Sequence, residues 1–434
     1  MTPLEYGIVG CVALLVLLMS SMPVAFVMGV VGVVGFAAIV DTPGAAMSMM
    51  SAEVLNTFSS KSLTVIPLFV FMGQIAFHSG ITRKLFNAAY RWLGPLPGGM
   101  AMASVGACTA FGAICGSGPA TAATMASVAL PEMKRYRYNM ELATGCVAAG
   151  GSLGMLIPPS VVFICYGILT EQSVGKLFIA GIVPGFLIAA LFCLTIYLKC
   201  VRKPEMGPRS PAFRWSEKML SLLGVFETLV LFALVMGGLF AGWFTPTEAA
   251  AVGAGGSLIV AAARRTLNRT MLKRALLETV RTSCMVLAIV AGAVVFGRFL
   301  AITRIPTELA DTLANLPLPG WGIMLLVVAF YLVCGCFVDA LALLMLTVPI
   351  FYPVVTGLGY DPIWFGVMIV VVTQMGVISP PVGVNVYVVS GTERDVPLHT
   401  VFRGALPFLG ALVVAAIILT AWPSLTLFLP RLMG

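Results

Sequence analysis

Three kinds of residue could do chemistry inside otherwise apolar stretches of this sequence: a run of small residues around a proline, two double prolines flanked by hydroxyls, and isolated charges. The run is Gly112 to Thr124, GAICGSGPATAAT. Its glycines admit positive φ, and Pro119 can open a helix without losing a needed donor. A break of this kind gathers carbonyls from one half-helix and amides from the next around one point. Unwound carbonyls suit a small cation, and a helix N-terminus suits a carboxylate, which makes Ser117, Pro119 and Thr121 candidate contacts. Small residues also serve close helix packing, but packing alone would keep the helix whole. The double prolines lie in Gly150-Gly151-Ser152-Leu153-Gly154…Pro158-Pro159-Ser160 and in Thr373-Gln374-Met375-Gly376…Ser379-Pro380-Pro381, with Asn385 beyond. Each pair removes two amide donors and frees carbonyls one turn back. Two cation cages are expected there, completed by Ser152, Ser160, Thr373 or Ser379; a bare proline kink is the bland alternative. Asp339 follows a second interruption, Cys334-Gly335-Cys336-Phe337-Val338. An acid at bilayer depth costs about 2.5–3.5 kcal/mol on insertion scales and usually marks an ion pathway. Asp339 is therefore expected at a sodium ion, directly or one residue removed. Arg298 is expected to pair with Asp339 or with a substrate carboxylate, unless it snorkels to the outer interface.

These residues need a frame, and composition says which. Hydrophobic residues make up 60% of the 434 and charged residues 10%, against about 25% charged in a soluble domain. Lipid is the solvent for most of the chain. The net charge of +8 resides in clusters between apolar runs, which is the positive-inside pattern and excludes nucleic-acid binding. Ten stretches approach the roughly 20 apolar residues that a spanning helix needs: 4–20, 24–40, 62–79, 139–170, 176–199, 221–243, 247–263, 281–301, 363–391 and 404–428. The first reads as a retained helix, with no removable signal peptide. Two further stretches, 100–131 and 321–353, are interrupted in the middle. If both are re-entrant hairpins, 20 of the 25 basic residues fall on one face, which must be cytoplasmic; making either a full crossing scrambles that order. Both termini then face outward. The basic stretches 80–97 and 264–281 read as helices lying along the inner surface. The ten cysteines read as small hydrophobes, without metal or disulfide spacing.

An offset of 222 aligns Pro131 with Pro353, Gly154 with Gly376, Pro158-Pro159 with Pro380-Pro381, and Thr170-Glu171 with Thr392-Glu393. Structure-breaking residues in a fixed order mark an internal repeat. The first hairpin opens inward and the second outward, so the repeats are inverted. The predicted fold is an all-α polytopic membrane protein of about ten transmembrane helices plus two hairpins. Its parts are N-terminal scaffold helices (1–61), repeat 1 (62–200), a cytoplasmic loop with scaffold helices and arm (201–283), and repeat 2 (284–434). Inverted repeats with matching broken helices are the mark of secondary transporters.

Ile66-Pro67-Leu68-Phe69, Gly112 to Pro119, Pro158-Pro159-Ser160 and Pro380-Pro381-Val382-Gly383-Val384-Asn385 together resemble the large membrane subunit of tripartite ATP-independent periplasmic (TRAP) transporters, over nearly the whole chain. That resemblance implies an elevator mechanism, a sodium gradient as driving force, and a small organic acid (carboxylate) as substrate. It also implies a periplasmic substrate-binding protein and a small four-helix membrane subunit as partners, and makes the outward face, with both termini, the periplasmic side of a bacterial inner (cytoplasmic) membrane. By position it carries sodium sites onto Gly116, Ser117, Gly118, Gly151, Ser152, Gly335, Asp339, Thr373, Gln374 and Pro380. Substrate contacts are expected at Pro119, Thr121, Ser160, Arg298, Ser379 and Asn385. A stand-alone sodium–anion symporter of similar design is the alternative. An intramembrane hydrolase using Ser117 is rejected. Its only histidines, His78 and His399, lie near span ends, and Cys115 replaces the first glycine of a Gly-x-Ser-x-Gly elbow.

Overall fold

The computed structural model describes residues 2–432 apart from 21, 211 and 315–318. Every regular element among the described residues is a helix, as lipid demands of a chain whose backbone must satisfy its own hydrogen bonds. Among the described residues, five helices are long and apolar enough to cross a membrane: Lys61–His78, Val174–Arg202, Arg269–Thr303, Ala340–Gly357 and Leu398–Ala421. Trp215–Leu223 and Phe226–Phe240, bent by 55° at their junction, form a sixth if taken together. The other expected spans appear as shorter apolar helices, as two halves, or, for 247–263, as the 18-residue helix Pro246–Ala263.

Both interrupted stretches break where the small residues and Asp339 stand. Helix Gly99–Cys115 ends on Gly116 at φ +64° and Gly118–Arg135 begins after an extended Ser117. Helix Gly320–Gly335 is followed by Ala340–Gly357, whose N-cap is Asp339. These two pairs are hairpin 1 and hairpin 2. The first double proline separates Met140–Ser152 and a short 3-10 turn, Leu153–Met155, from Val161–Leu169. The second separates Pro362–Gly376 from Val384–Thr392, and the Pro158–Pro159 and Pro380–Pro381 bonds are both cis.

The two halves repeat the same contacts at these breaks. A Cβ on Gly112 would lie 2.7 Å from Gly154 Cα, and one on Gly376 would lie 2.5 Å from the carbonyl carbon of Gly335. In each half, therefore, the end of the first hairpin helix touches the broken helix backbone to backbone. Beyond the prolines, Val161 N–H donates to Gly116 O at 3.4 Å and Val382 N–H donates to Cys336 O at 3.2 Å. The halves also interlock, since Tyr166 Oη donates to Pro362 O at 2.6 Å and Asn385 Nδ2 to Ala148 O at 3.0 Å.

Packing divides the described helices into two groups. The hairpins, the broken helices, Val174–Arg202 and Leu398–Ala421 pack on one another; Pro3–Met19, Val24–Val40, Pro43–Ser59, Val65–His78, Pro246–Ala263 and Arg269–Thr303 form a second, scaffold-like group. Three features depart from the sequence reading. The stretch 264–281 is no separate surface helix, because Arg269–Thr303 runs unbroken for 35 residues; no glycine or proline interrupts it between 269 and 291. Pro43–Ser59, with Pro43 at its first turn, is a helix that hydropathy missed because Ser48, Ser51, Glu53 and Asn56 dilute its apolar residues. The stretch 404–428 is two helices, Leu398–Ala421 and Ser424–Arg431, parted near Pro423.

Candidate functional site

A cavity of about 580 Å³ lies where the two hairpin tips approach the scaffold group, lined by Cys115 to Ala120 from hairpin 1 and Asp339 to Ala342 from hairpin 2. Met155, Val161 and Val162 of the first broken helix close one wall; Pro23 to Phe26, Val70, Gln74, Thr282 and Met285 of the scaffold close the other. Its size suits a small organic molecule. None of the described residues lining it is Lys, Arg or His, and Asp339 is the one acid among them.

Of the predicted residues, Gly116, Ser117, Gly118, Pro119 and Asp339 line this cavity. Asp339 Oδ2 accepts from Leu341 N–H at 3.1 Å, so the acid caps its own half-helix. Behind tip 1, Thr121 Oγ1 donates to Ser117 O at 2.7 Å and Ser152 Oγ to Ala149 O at 2.7 Å. Ser160 Oγ donates to Met155 O. Gly151 packs against Ala122. Behind tip 2, Thr373 Oγ1 donates to Val370 O at 2.9 Å and Ser379 Oγ to Met375 O at 2.6 Å, while Gly335 meets Gly376. Each hydroxyl thus spends its proton on a backbone carbonyl and keeps a lone pair for a cation, although Ser160 Oγ also accepts from Phe163 N–H at 3.4 Å. Gln374 has neither carboxamide atom hydrogen-bonded, and Asn385 Oδ1 is likewise unpartnered although both residues are fully buried.

Five expected substrate contacts meet a different arrangement. Arg298 does not reach Asp339: its Nε donates to Glu53 Oε1 at 2.7 Å, on the helix that the sequence reading missed. The Arg298 side chain is 61% exposed and does not line the cavity. Thr121, Ser160, Ser379 and Asn385, expected at the substrate, sit behind the tips and outside the cavity lining, which of that set holds only Pro119. Conversely, Gln74 and Thr282 line the cavity unforeseen. The available signal was a lone carboxamide inside the apolar run Val65 to Phe77.

The geometry has relatives. The chain matches, over residues 11–425, the model of the family described as tripartite ATP-independent periplasmic transporter, DctM component. It is 37% identical to the C4-dicarboxylate TRAP transporter large permease protein DctM of Pseudomonas aeruginosa, covering 89% of this chain and 90% of that one. It is 34% identical to the sialic acid TRAP transporter large permease protein SiaM of Vibrio cholerae, covering 96% of each. The isethionate TRAP transporter permease protein DctMQ of Oleidesulfovibrio alaskensis is 33% identical over 95% of this chain and 64% of its own length. Among solved structures, the Alcanivorax borkumensis YdaH transporter shares the fold, with a TM-score of 0.62 at 14% identity over 88% of this chain and 89% of that one. An all-helical chain with a cavity at its paired breaks, matched over residues 11–425 by that family's model and over most of its length by large permeases, belongs to the DctM component family of tripartite ATP-independent periplasmic transporters.

Proposed function

We infer that this chain carries a small organic acid inward across the bacterial cytoplasmic membrane, coupled to sodium, by an elevator movement of the hairpins and broken helices against the scaffold. The observation that carries this is the cavity's charge. An anion entering a site with one acid and no base among its lining residues needs cations beside it, because an unpaired charge in a low-dielectric site is strongly disfavoured. The tips and the broken helices behind them supply the ligands: the Gly116 and Ser117 backbone and the Asp339 carboxylate from the tips, the buried hydroxyls of Ser152, Ser160, Thr373 and Ser379 from the broken helices. The N-terminus of Gly118–Arg135 favours the substrate carboxylate. On the positive-inside reading, Gln74 and Thr282 stand near the cytoplasmic ends of their helices, beside Arg83, Lys84 and Arg269 to Arg281; the cavity would then open to the cytoplasm, with both termini periplasmic.

The relatives' names support a carboxylate cargo and a tripartite assembly, with a periplasmic binding protein and a small membrane subunit as partners. Proteoliposomes test it. Uptake is expected only with the binding protein, the small subunit and an inward sodium gradient together; transport by this chain alone, or uptake indifferent to sodium, overturns the assignment.

A further inference from the structure

We propose that Gln74, with Thr282 beside it in the cavity wall, is a scaffold-side contact for a carboxylate of the transported acid, made only while the hairpin tips stand as they do here. This role rests on the transport function inferred above. Gln74 is the polar residue of an apolar helix, Val65–His78; its side chain lines the cavity and its Oε1 is buried with no hydrogen-bond partner. A buried carboxamide atom without a partner is costly and rare. Its Nε2, unlike Oε1, is not shut away, and this N–H donor can meet a carboxylate oxygen without backbone movement.

Two neighbours fix its place. A Cβ on Gly73 would stand 3.0 Å from Cys115 Cα, so the absent side chain brings the scaffold helix against tip 1, with Gln74 one residue on. One helical turn beyond Gln74, His78 Nε2 meets Glu278 Oε2 at 3.1 Å, and Glu278 precedes Thr282 by one turn on Arg269–Thr303. The same two helix faces that offer Gln74 and Thr282 to the cavity are therefore clasped just outside it. Gln74 packs with the scaffold and the tips pack with the broken helices, so movement of the tips breaks the contact. It follows that Gln74 holds the acid at the cytoplasmic position and leaves periplasmic capture alone.

The test uses right-side-out vesicles containing this chain, its small subunit and the binding protein, with succinate and N-acetylneuraminate as probes. Half-saturation is read separately for external acid during uptake and for internal acid during counterflow. Gln74→Ala is expected to raise the internal value about tenfold, the scale of one charge-assisted hydrogen bond, with external and sodium values unchanged. Gln74→Glu is expected to raise it further by repelling the carboxylate. An unchanged internal value in both variants, or equal rises on both sides, overturns the role of Gln74 while the transport function stands. Wild-type vesicles that move neither probe under a sodium gradient overturn both together.

Discussion

Asp339 does two jobs at one atom group: it caps the half-helix Ala340–Gly357 through Leu341 N–H, and it supplies the one acid among the described residues of the cavity wall. Asn caps a helix about as well as Asp, whereas Ala gives up about 1 kcal/mol. Asp339→Asn therefore separates the two jobs. Its thermal midpoint should stay within about 2 °C of wild type, while the sodium half-saturation of uptake rises about tenfold or more, the scale of a lost charged ligand. An unchanged sodium response in vesicles removes Asp339 from the ion path. At this scale the sequence was legible wherever a residue contradicts its surroundings, as Asp339 does among Val338 and Ala340 and as the Gly-Ser-Gly-Pro run does. Arg298 misled for the same reason: its oddness was visible, but its partner Glu53 lies on a helix too polar to register as membrane-associated.

The hairpins and broken helices are held together by backbone contacts that only glycine allows. A methyl on Gly376 would enter the Gly335 backbone and one on Gly112 would enter Gly154, and overpacking of that kind typically costs about 1–3 kcal/mol. Gly376→Ala and Gly112→Ala are each expected to lower the thermal midpoint in detergent by several degrees. Gly297→Ala is the control, because a Cβ there meets nothing within 4 Å and the helix gains propensity. Equal midpoints in all three variants would show that the tips are not seated on the broken helices. Helix breaks were legible because Pro-Pro and Gly-Ser-Gly-Pro act locally. The continuity of Arg269–Thr303 was not, since a basic surface segment and an apolar span have opposite hydropathy, and only the hydrogen-bond ladder tells that they are one rod. At about 1.5 Å per residue, its 35 residues reach roughly 52 Å, well past the apolar core.

Across the whole molecule the repeats are joined at their ends as well as their centres. Lys134 of hairpin 1 donates to Glu393 Oε1 at 2.9 Å and Asp395 Oδ2 at 2.8 Å, beyond the second broken helix. The hydrogen bond from Lys134 holds the Asp395 carboxyl below its ordinary value of 3.8. A carboxyl depressed on folding stabilises the fold above its ordinary value, and that contribution is lost as pH falls through the lowered one. The pair is exposed, so its effect is small and salt-screened. Lys134→Met should lower the thermal midpoint by about 1 °C at pH 7 in low salt, and the difference should vanish in about 1 M salt or below the aspartate range. A difference that persists in high salt assigns Lys134 a packing role.

The lone acid of the cavity also bears on membrane voltage. Once cargo has left, a carrier with Asp339 ionised moves with one uncompensated negative charge, and an inside-negative potential pushes that charge outward. A full crossing of one charge is worth about 2.3 kcal/mol per 100 mV, and a partial stroke proportionally less. The electrical gradient would then hasten the return of the empty carrier, so depolarised vesicles should slow net uptake more than they slow exchange of bound acid.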